Sequence, residues 1–214
     1  MLKPGIGFCL EGLPIIIWTF LATIVFALLE WNFLAILGLA ASLFVLNFFR
    51  DPQRVVPQEH GLAVAPADGK VVKVEKMTDP FSGQEKTAIC IFMNVFNVHV
   101  NRSPVTGQVE GIKYFPGKFI NASLDKASKD NERNAILLKD KEGEFWTVVQ
   151  IAGLIARRIV CWVEHGDHLH RGERLGMIKF GSRVDLYLPD GYEPLVKIND
   201  KVFAGQSIVA RKKA

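Results

Sequence analysis

The chain reads as a mostly-β protein, with a barrel- or sandwich-like domain over residues 50–214 preceded by an α-helical membrane hairpin over residues 1–49. Three observations predict this. Two apolar runs, 13–29 and 33–49, are separated by a short polar break. From residue 62 onward, short β-rich runs are punctuated by Gly, Pro, Asn and Asp, the pattern of strands and turns. Near the C-terminus a turn-and-strand unit occurs twice, as expected of a compact all-β barrel.

Each apolar run spans 17 residues, or about 25 Å as a helix. This is the short end of what crosses a bilayer core of about 30 Å. Between Glu11 and Arg50 the only charged residue is Glu30, beside Trp31 and Asn32, which reads as an interfacial turn. Lys3 on one side, with Arg50 and Arg54 on the other, places both ends on the cytoplasmic face. The apolar length and the lack of a small-x-small cleavage site argue against a signal peptide. A hairpin buried in a globular core, or one that dips into the membrane without crossing, fits the same residues.

Cys9, Cys90 and Cys161 are odd in number and widely spaced without a C-x-x-C pair, which suggests neither a disulfide framework nor a metal site and fits a reducing compartment. The net charge is +4, with no basic run longer than Arg211-Lys212-Lys213. No basic-aromatic stripe suggests nucleic acid as a partner. A mild positive bias beside an apolar hairpin fits anionic lipid headgroups.

In the β-rich part, residues 62–75 have the pattern of a hairpin turning at Asp68-Gly69. Further strands are expected at 89–100, 105–114, 135–138, 145–151 and 155–163. Residues 116–133 read as a long loop with one helical turn, a length usually kept for function. The run 178–188 alternates as a half-buried strand, with Ile178, Phe180, Val184, Leu186 and Leu188 on one face. Ser182 falls on that same face. A buried hydroxyl needs a partner or a chemical role. Gly181 before it leaves its carbonyl uncrowded and tolerates backbone strain, an arrangement suited to attack by the serine oxygen on its own preceding peptide bond. A small residue at a bulge is the plainer reading of the dipeptide alone.

The repeated unit is V-x3-D-x-hydrophobic-x2-G-x2-hydrophobic, at Val163 to Leu175 and again at Val196 to Ile208. Such units are similar to the flattened barrels of biotinyl and lipoyl carrier domains, which makes a membrane-tethered carrier or binding module the rival function. A carrier needs a lysine at a hairpin tip beside a methionine. Met177-Ile178-Lys179 is the nearest approach, and it lies within a strand. His165, His168 and His170 fall in the first copy, but the second has Ile198, Lys201 and Phe203 there. The turn does not require histidine, and no metal is expected.

Several segments occur in an order that identifies a family: Phe49-Arg50-Asp51-Pro52, Ala65-Pro66-Ala67-Asp68-Gly69, Asn97-Val98-His99-Val100-Asn101-Arg102-Ser103-Pro104, Asn131-Glu132-Arg133 and Phe180-Gly181-Ser182-Arg183. From the hairpin to the C-terminus the chain resembles the short form of phosphatidylserine decarboxylase, a pyruvoyl-dependent lyase made as a proenzyme. The resemblance implies that Ser182 attacks the Gly181 carbonyl and shifts the acyl group from nitrogen to oxygen. Elimination then cuts the chain into a large subunit, 1–181, and a small subunit, 182–214, whose first residue becomes a covalent pyruvoyl cofactor. Decarboxylating an amino acid leaves a carbanion. A ketone that forms a Schiff base with the substrate amine is the electron sink no ordinary side chain provides.

The resemblance further implies a phospholipid substrate whose serine headgroup becomes ethanolamine, at the cell membrane, with homo-oligomerisation left open. Ser182 needs a base, and in the family an Asp-His-Ser set drives self-cleavage, which puts Asp68 and His99 with Ser182. Longer relatives carry two histidines before the proline, whereas counting back from Pro104 gives His99 and then Arg102. His99 therefore serves both steps, or another group acts in maturation. Arg133 is expected to bind the lipid phosphate, a geometry that suits guanidinium.

Overall fold

The computed structural model describes residues 7–118, 130–154, 158–179 and 181–213. The chain divides into two compact units, residues 1–53 and 54–214.

In the first unit a 3-10 turn at Leu10–Gly12 leads into α1 (Leu13–Leu28), with proline in its first turn, and α2 (Asn32–Phe48) follows. Proline suits that position because the first helical N–H groups have no partner in any case. The reversal is made at Glu30, in the left-handed region at φ 58°, with Phe26 stacked on Trp31 at 6.0 Å. Gly38 lets the two helices approach closely, since a Cβ there would lie 2.7 Å from Thr23 Oγ1. One turn away, the Thr23 and Ser42 hydroxyls meet at 3.3 Å. α1 buries no side chain. With its leading turn it spans 19 residues of mean hydropathy 1.9, long and apolar enough to cross a membrane. α2 is apolar but shorter, at 17 residues.

The second unit is built from β1 (Leu62–Val64), β2 (Gly69–Thr78), β3 (Glu85–Met93), β4 (Val100–Arg102), β5 (Gly107–Phe115), β6 (Arg133–Asp140) and β7 (Phe145–Ala152). It continues through β8 (Ile159–Cys161), β9 (His168–Leu169), β10 (Arg174–Ile178), β11 (Ser182–Tyr187), β12 (Tyr192–Pro194), β13 (Lys201–Val202) and β14 (Ile208–Lys212). Eight of them form a curled half-barrel sheet in the order β13-β2-β3-β11-β7-β6-β5-β9, and two three-stranded sheets, β1-β14-β12 and β4-β10-β8, accompany it. The main core packs Ile89, Ile91, Met93, Val148, Ala152, Val184 and Leu186 on one face of the large sheet. Ala88, Cys90, Ala135, Val149, Ile151 and Tyr187 form a smaller cluster on the other.

Two strand expectations are corrected. Residues 62–75 do not form a hairpin: β1 pairs with β14, and β2 pairs with β3. Pro66 has no N–H to give a ladder. Its carbonyl instead accepts from Arg102 N at 2.9 Å, while Ala65 N donates to Ser207 O at 2.8 Å. The run 178–188 is not one strand either, because β10 ends at Ile178 in one sheet and β11 begins at Ser182 in another. Nor is β11 half-buried, since every residue from Ser182 to Tyr187 is buried. The helical turn expected within 116–133, most of the expected strand start at 155–157, and Phe180 lie outside the described residues.

The large sheet contains an internal duplication. Pro66-x-Asp68-Gly69-x-Val71 opens β2 as Pro104-x-Thr106-Gly107-x-Val109 opens β5. Each strand then shifts register, after Val71 and after Val109. Each also receives a short strand of the repeated turn unit, β13 at Gly69 and β9 at Gly107. Both glycines are held by close backbone contact: an added Cβ would lie 2.2 Å from Phe92 O at Gly69 and 2.4 Å from Lys139 O at Gly107.

Candidate active site

β11 enters the middle of the large sheet at Ser182, directly opposite Met93 of β3 on one side and Ala152 of β7 on the other. Ser182 is fully buried, and its Oγ has no hydrogen-bond partner among the described residues. Buried polar atoms are almost always paired, so an orphaned hydroxyl is an anomaly that asks for an explanation. Gly181 takes φ +62°, the left-handed region that a residue with a side chain adopts at a cost. The chain break expected by chemistry therefore coincides with the break between two strands.

His99 approaches from the segment entering β4. Its Nδ1 lies 2.9 Å from the Asn97 carbonyl, and the Gly181 amide donates to its Nε2 at 3.3 Å. A carbonyl only accepts, so the ring proton is on Nδ1, and Nε2 accepts as the basic nitrogen of a neutral ring. His99 is fully buried. The structure thus brings His99 to Gly181, the chain neighbour of Ser182, while among the described residues no hydrogen bond reaches the Ser182 Oγ.

Asp68 does not join them. Its carboxylate takes both forks of contact from Arg54 Nη2, at 2.8 and 3.0 Å, and Oδ1 also accepts the Ala204 N–H at 2.8 Å. Among the described residues it bonds to neither His99 nor Ser182. The duplication explains part of this placement. Thr106, the counterpart of Asp68, accepts the Arg171 N–H through its hydroxyl at 3.0 Å, so a side-chain oxygen anchoring the repeated turn is common to both copies. The Arg54 pair is peculiar to the first. Arg54 also donates to Gln206 Oε1 at 2.8 Å.

Arg133 lies on the opposite face of the sheet from Ser182. Its guanidinium sits over the Phe115 ring at 4.5 Å, and with Phe115, Ile151, Asp185 and Tyr187 it lines a cavity of about 640 Å³. Strand alternation decides this: Asn134 takes the core face beside Gln150, and Arg133 takes the other. Asn131 has a clear role, donating from Nδ2 to the Ala152 carbonyl at 2.7 Å, while Ala152 N donates to Glu132 O at 2.9 Å. Together they brace the residue opposite Ser182.

Behind Ser182, Arg183 and Asp185 form a buried pair at 2.6 Å, and Arg183 Nη2 also reaches Cys90 Sγ at 3.0 Å. Burial foremost, then the Asp185 charge, pushes the Cys90 thiol far above its usual range, which makes it a poor nucleophile. His165 Nδ1 lies 3.1 Å from the Val109 carbonyl, while His168 and His170 line a separate hollow of about 410 Å³. Among the described residues no group of His, Cys, Asp and Glu could hold a metal ion.

A family model described as phosphatidylserine decarboxylase matches residues 41–210. A phosphatidylserine decarboxylase proenzyme from Solidesulfovibrio magneticus is 59% identical over 212 residues, covering 99% of each chain. One from Nitratidesulfovibrio vulgaris is 60% identical over 212 residues, covering 99% of this chain and 98% of its own. One from Polynucleobacter asymbioticus is 53% identical over 201 residues, covering 91% and 92%.

Proposed function

The chain belongs to the phosphatidylserine decarboxylase family, and from that premise we propose that it is a proenzyme which cuts itself between Gly181 and Ser182 and then converts a serine phospholipid to its ethanolamine counterpart. The chain is a carboxy-lyase by family, which sets the carrier reading aside. The observation that carries the proposal is the buried Ser182 Oγ without a partner, next to a glycine at φ +62°.

Ser182 attacks the Gly181 carbonyl carbon. His99, its proton parked on Nδ1 by Asn97, has a basic Nε2 at residue 181 to take the hydroxyl proton. The Gly181 N–H holds that nitrogen at residue 181 in the resting chain, and it lets go as the single lone pair of Nε2 turns to the hydroxyl. Asp68 supports this from a distance by anchoring Arg54 and the turn at Ala204. The orphaned serine beside an uncrowded glycine fits a pyruvoyl group at position 182. Held there at the start of β11, that group would supply a ketone able to take the substrate amine and to act as the electron sink a decarboxylation needs.

The substrate's acyl chains stay in the bilayer, and the apolar first unit holds the enzyme there, with the catalytic unit on the cytoplasmic side by the distribution of basic residues. Carbon dioxide release from phosphatidylserine in detergent micelles tests the activity. Wild type releases it, and Ser182→Ala does not. Equal release by Ser182→Ala sinks the proposal.

A further inference from the structure

Three buried amides form a directed relay that ends beside Ser182. Asn134 Nδ2 donates to Gln150 Oε1 at 3.1 Å, Gln150 Nε2 donates to Asn101 Oδ1 at 2.9 Å, and Asn101 Nδ2 donates to Met93 Sδ at 3.8 Å. Gln150 and Asn101 are fully buried and Asn134 is 4% exposed. With Gln150 Nε2 donating to its Oδ1, Asn101 keeps its NH2 toward Met93, since turning the Asn101 amide alone would set two NH2 groups against each other. The relay therefore aims the Asn101 N–H groups at Met93, and Met93 is the direct cross-strand neighbour of Ser182. His99 and Asn101, two apart on an extended segment, project to the same side. One of them already contacts the Gly181 amide.

A thioether is a weak acceptor, and it is the only acceptor of Asn101 Nδ2 among the described residues. Burying three amides to aim a donor at sulfur makes little sense as stabilisation, since an under-satisfied buried N–H is destabilising. It makes sense if a better acceptor forms there transiently. We infer that Asn101 donates to the oxyanion that develops on the Gly181 carbonyl oxygen during self-cleavage, with Gln150 and Asn134 as positioning residues. This rests on Gly181-Ser182 being the cleavage site. As the Ser182 Oγ to Gly181 carbon bond forms, the hydroxyl proton leaves to the base and the carbonyl π pair moves onto oxygen. The carbon–nitrogen bond then breaks, the Ser182 nitrogen takes a proton, and the carbonyl re-forms as an ester. Charge sits on that oxygen only between these events, which is where a preorganised donor lowers the barrier.

The test follows loss of full-length chain after pulse synthesis, with thermal stability compared in the Ser182→Ala background so that all chains are uncleaved. Asn101→Asp slows cleavage about a hundredfold near neutral pH, the usual loss for one oxyanion donor. Its deficit against wild type narrows as the pH is lowered toward about 4, where a protonated carboxyl regains a donor. Gln150→Glu slows cleavage as well, because an ionised carboxylate offers Asn101 no N–H. Wild-type rates in Asn101→Asp overturn the inference, as does a pH-independent deficit accompanied by a lowered melting temperature. Should Asn101→Asp fail to fold, Gln150→Glu decides by its cleavage rate, unchanged overturning and slowed supporting. A Ser182→Ala chain that still splits would instead overturn the cleavage site itself.

Discussion

The Gly181 backbone N–H donates to Nε2 of His99 at 3.3 Å, so one histidine nitrogen touches the residue whose carbonyl we propose is attacked. Because Nδ1 is committed to Asn97, the ring meets Gly181 as an acceptor. Protonating Nε2 ends both the contact and the basicity.

His99→Gln is expected to slow self-cleavage by about a hundredfold, the low end of what a general base contributes. The conversion of one band to two on a denaturing gel measures it. The same loss of the lone pair predicts that wild-type cleavage slows as pH falls. Full cleavage and full activity in His99→Gln would remove the residue from the site, and cleavage without activity would assign it to decarboxylation alone.

Asp68 and Arg54 form a nearly buried pair, with side chains 5% and 10% exposed. Removing one partner of such a pair leaves a buried charge uncompensated and costs about 3–5 kcal/mol. Arg54→Met is expected to lose about that much in urea unfolding, with the chain still cleaving at low temperature. Asp68→Asn should lose less, since its amide oxygen still accepts the Ala204 N–H. An Asp68→Asn chain of normal stability that fails to cleave would place the carboxylate in the chemistry instead.

Asp79, 1% exposed, accepts from the Phe81 and Ser82 N–H groups, the Thr147 hydroxyl and Lys86. Burial works to raise its pKa, but the two N–H groups, the hydroxyl and the Lys86 charge outweigh it and hold the carboxyl below its ordinary value. The folded chain therefore binds this proton less readily than the unfolded chain. The stabilisation is fully present above the unfolded value of about 3.9 and is lost as pH falls through the lower folded value. Asp79→Asn should reduce stability by about 1–3 kcal/mol at neutral pH. The gap from wild type should close in acid, as read from unfolding midpoints across pH. A gap constant with pH would contradict the assignment.

Deleting residues 1–48 is expected to leave a protein that still self-cleaves, because Asp68, His99 and Ser182, together with Arg54, belong to the unit 54–214. The truncated enzyme should lose activity on phosphatidylserine in vesicles far more than in detergent micelles. Equal vesicle activity would refute an anchoring role, and failure to cleave would make the hairpin part of the folded core.

Ser182 stood out as a serine on an apolar strand face, but the Gly181-Ser182 dipeptide alone had a plainer reading as a bulge and gained its proposed role from the ordered motifs around it. His99 did not stand out, since a lone histidine between valines has an ordinary strand reading and gained meaning only from the ordered motifs around it. Asp68 was legible as a special residue but not in its partners, because Arg54 and Ala204 are brought to it by the fold. Arg133 and Asn134 illustrate strand parity: one position decides which reaches the Ser182 face, and the start of β6 was hidden at the end of a long loop. The amide relay escaped because its members come from β4, β6 and β7. Gln150, polar between the core residues Val148 and Ala152, was its one visible signal. The duplication was also visible, in the P-x-x-G-x-V spacing at Pro66 and Pro104.

The most direct test of self-cleavage is the intact mass of the purified wild-type protein beside Ser182→Ala. The account predicts two chains for wild type, 1–181 with a free carboxylate and a 182–214 fragment lighter by one ammonia than the same fragment made by hydrolysis, and one full-length chain for the variant. A single full-length mass from active wild-type protein, or a 182–214 fragment that keeps an ordinary serine amine in active enzyme, would contradict it.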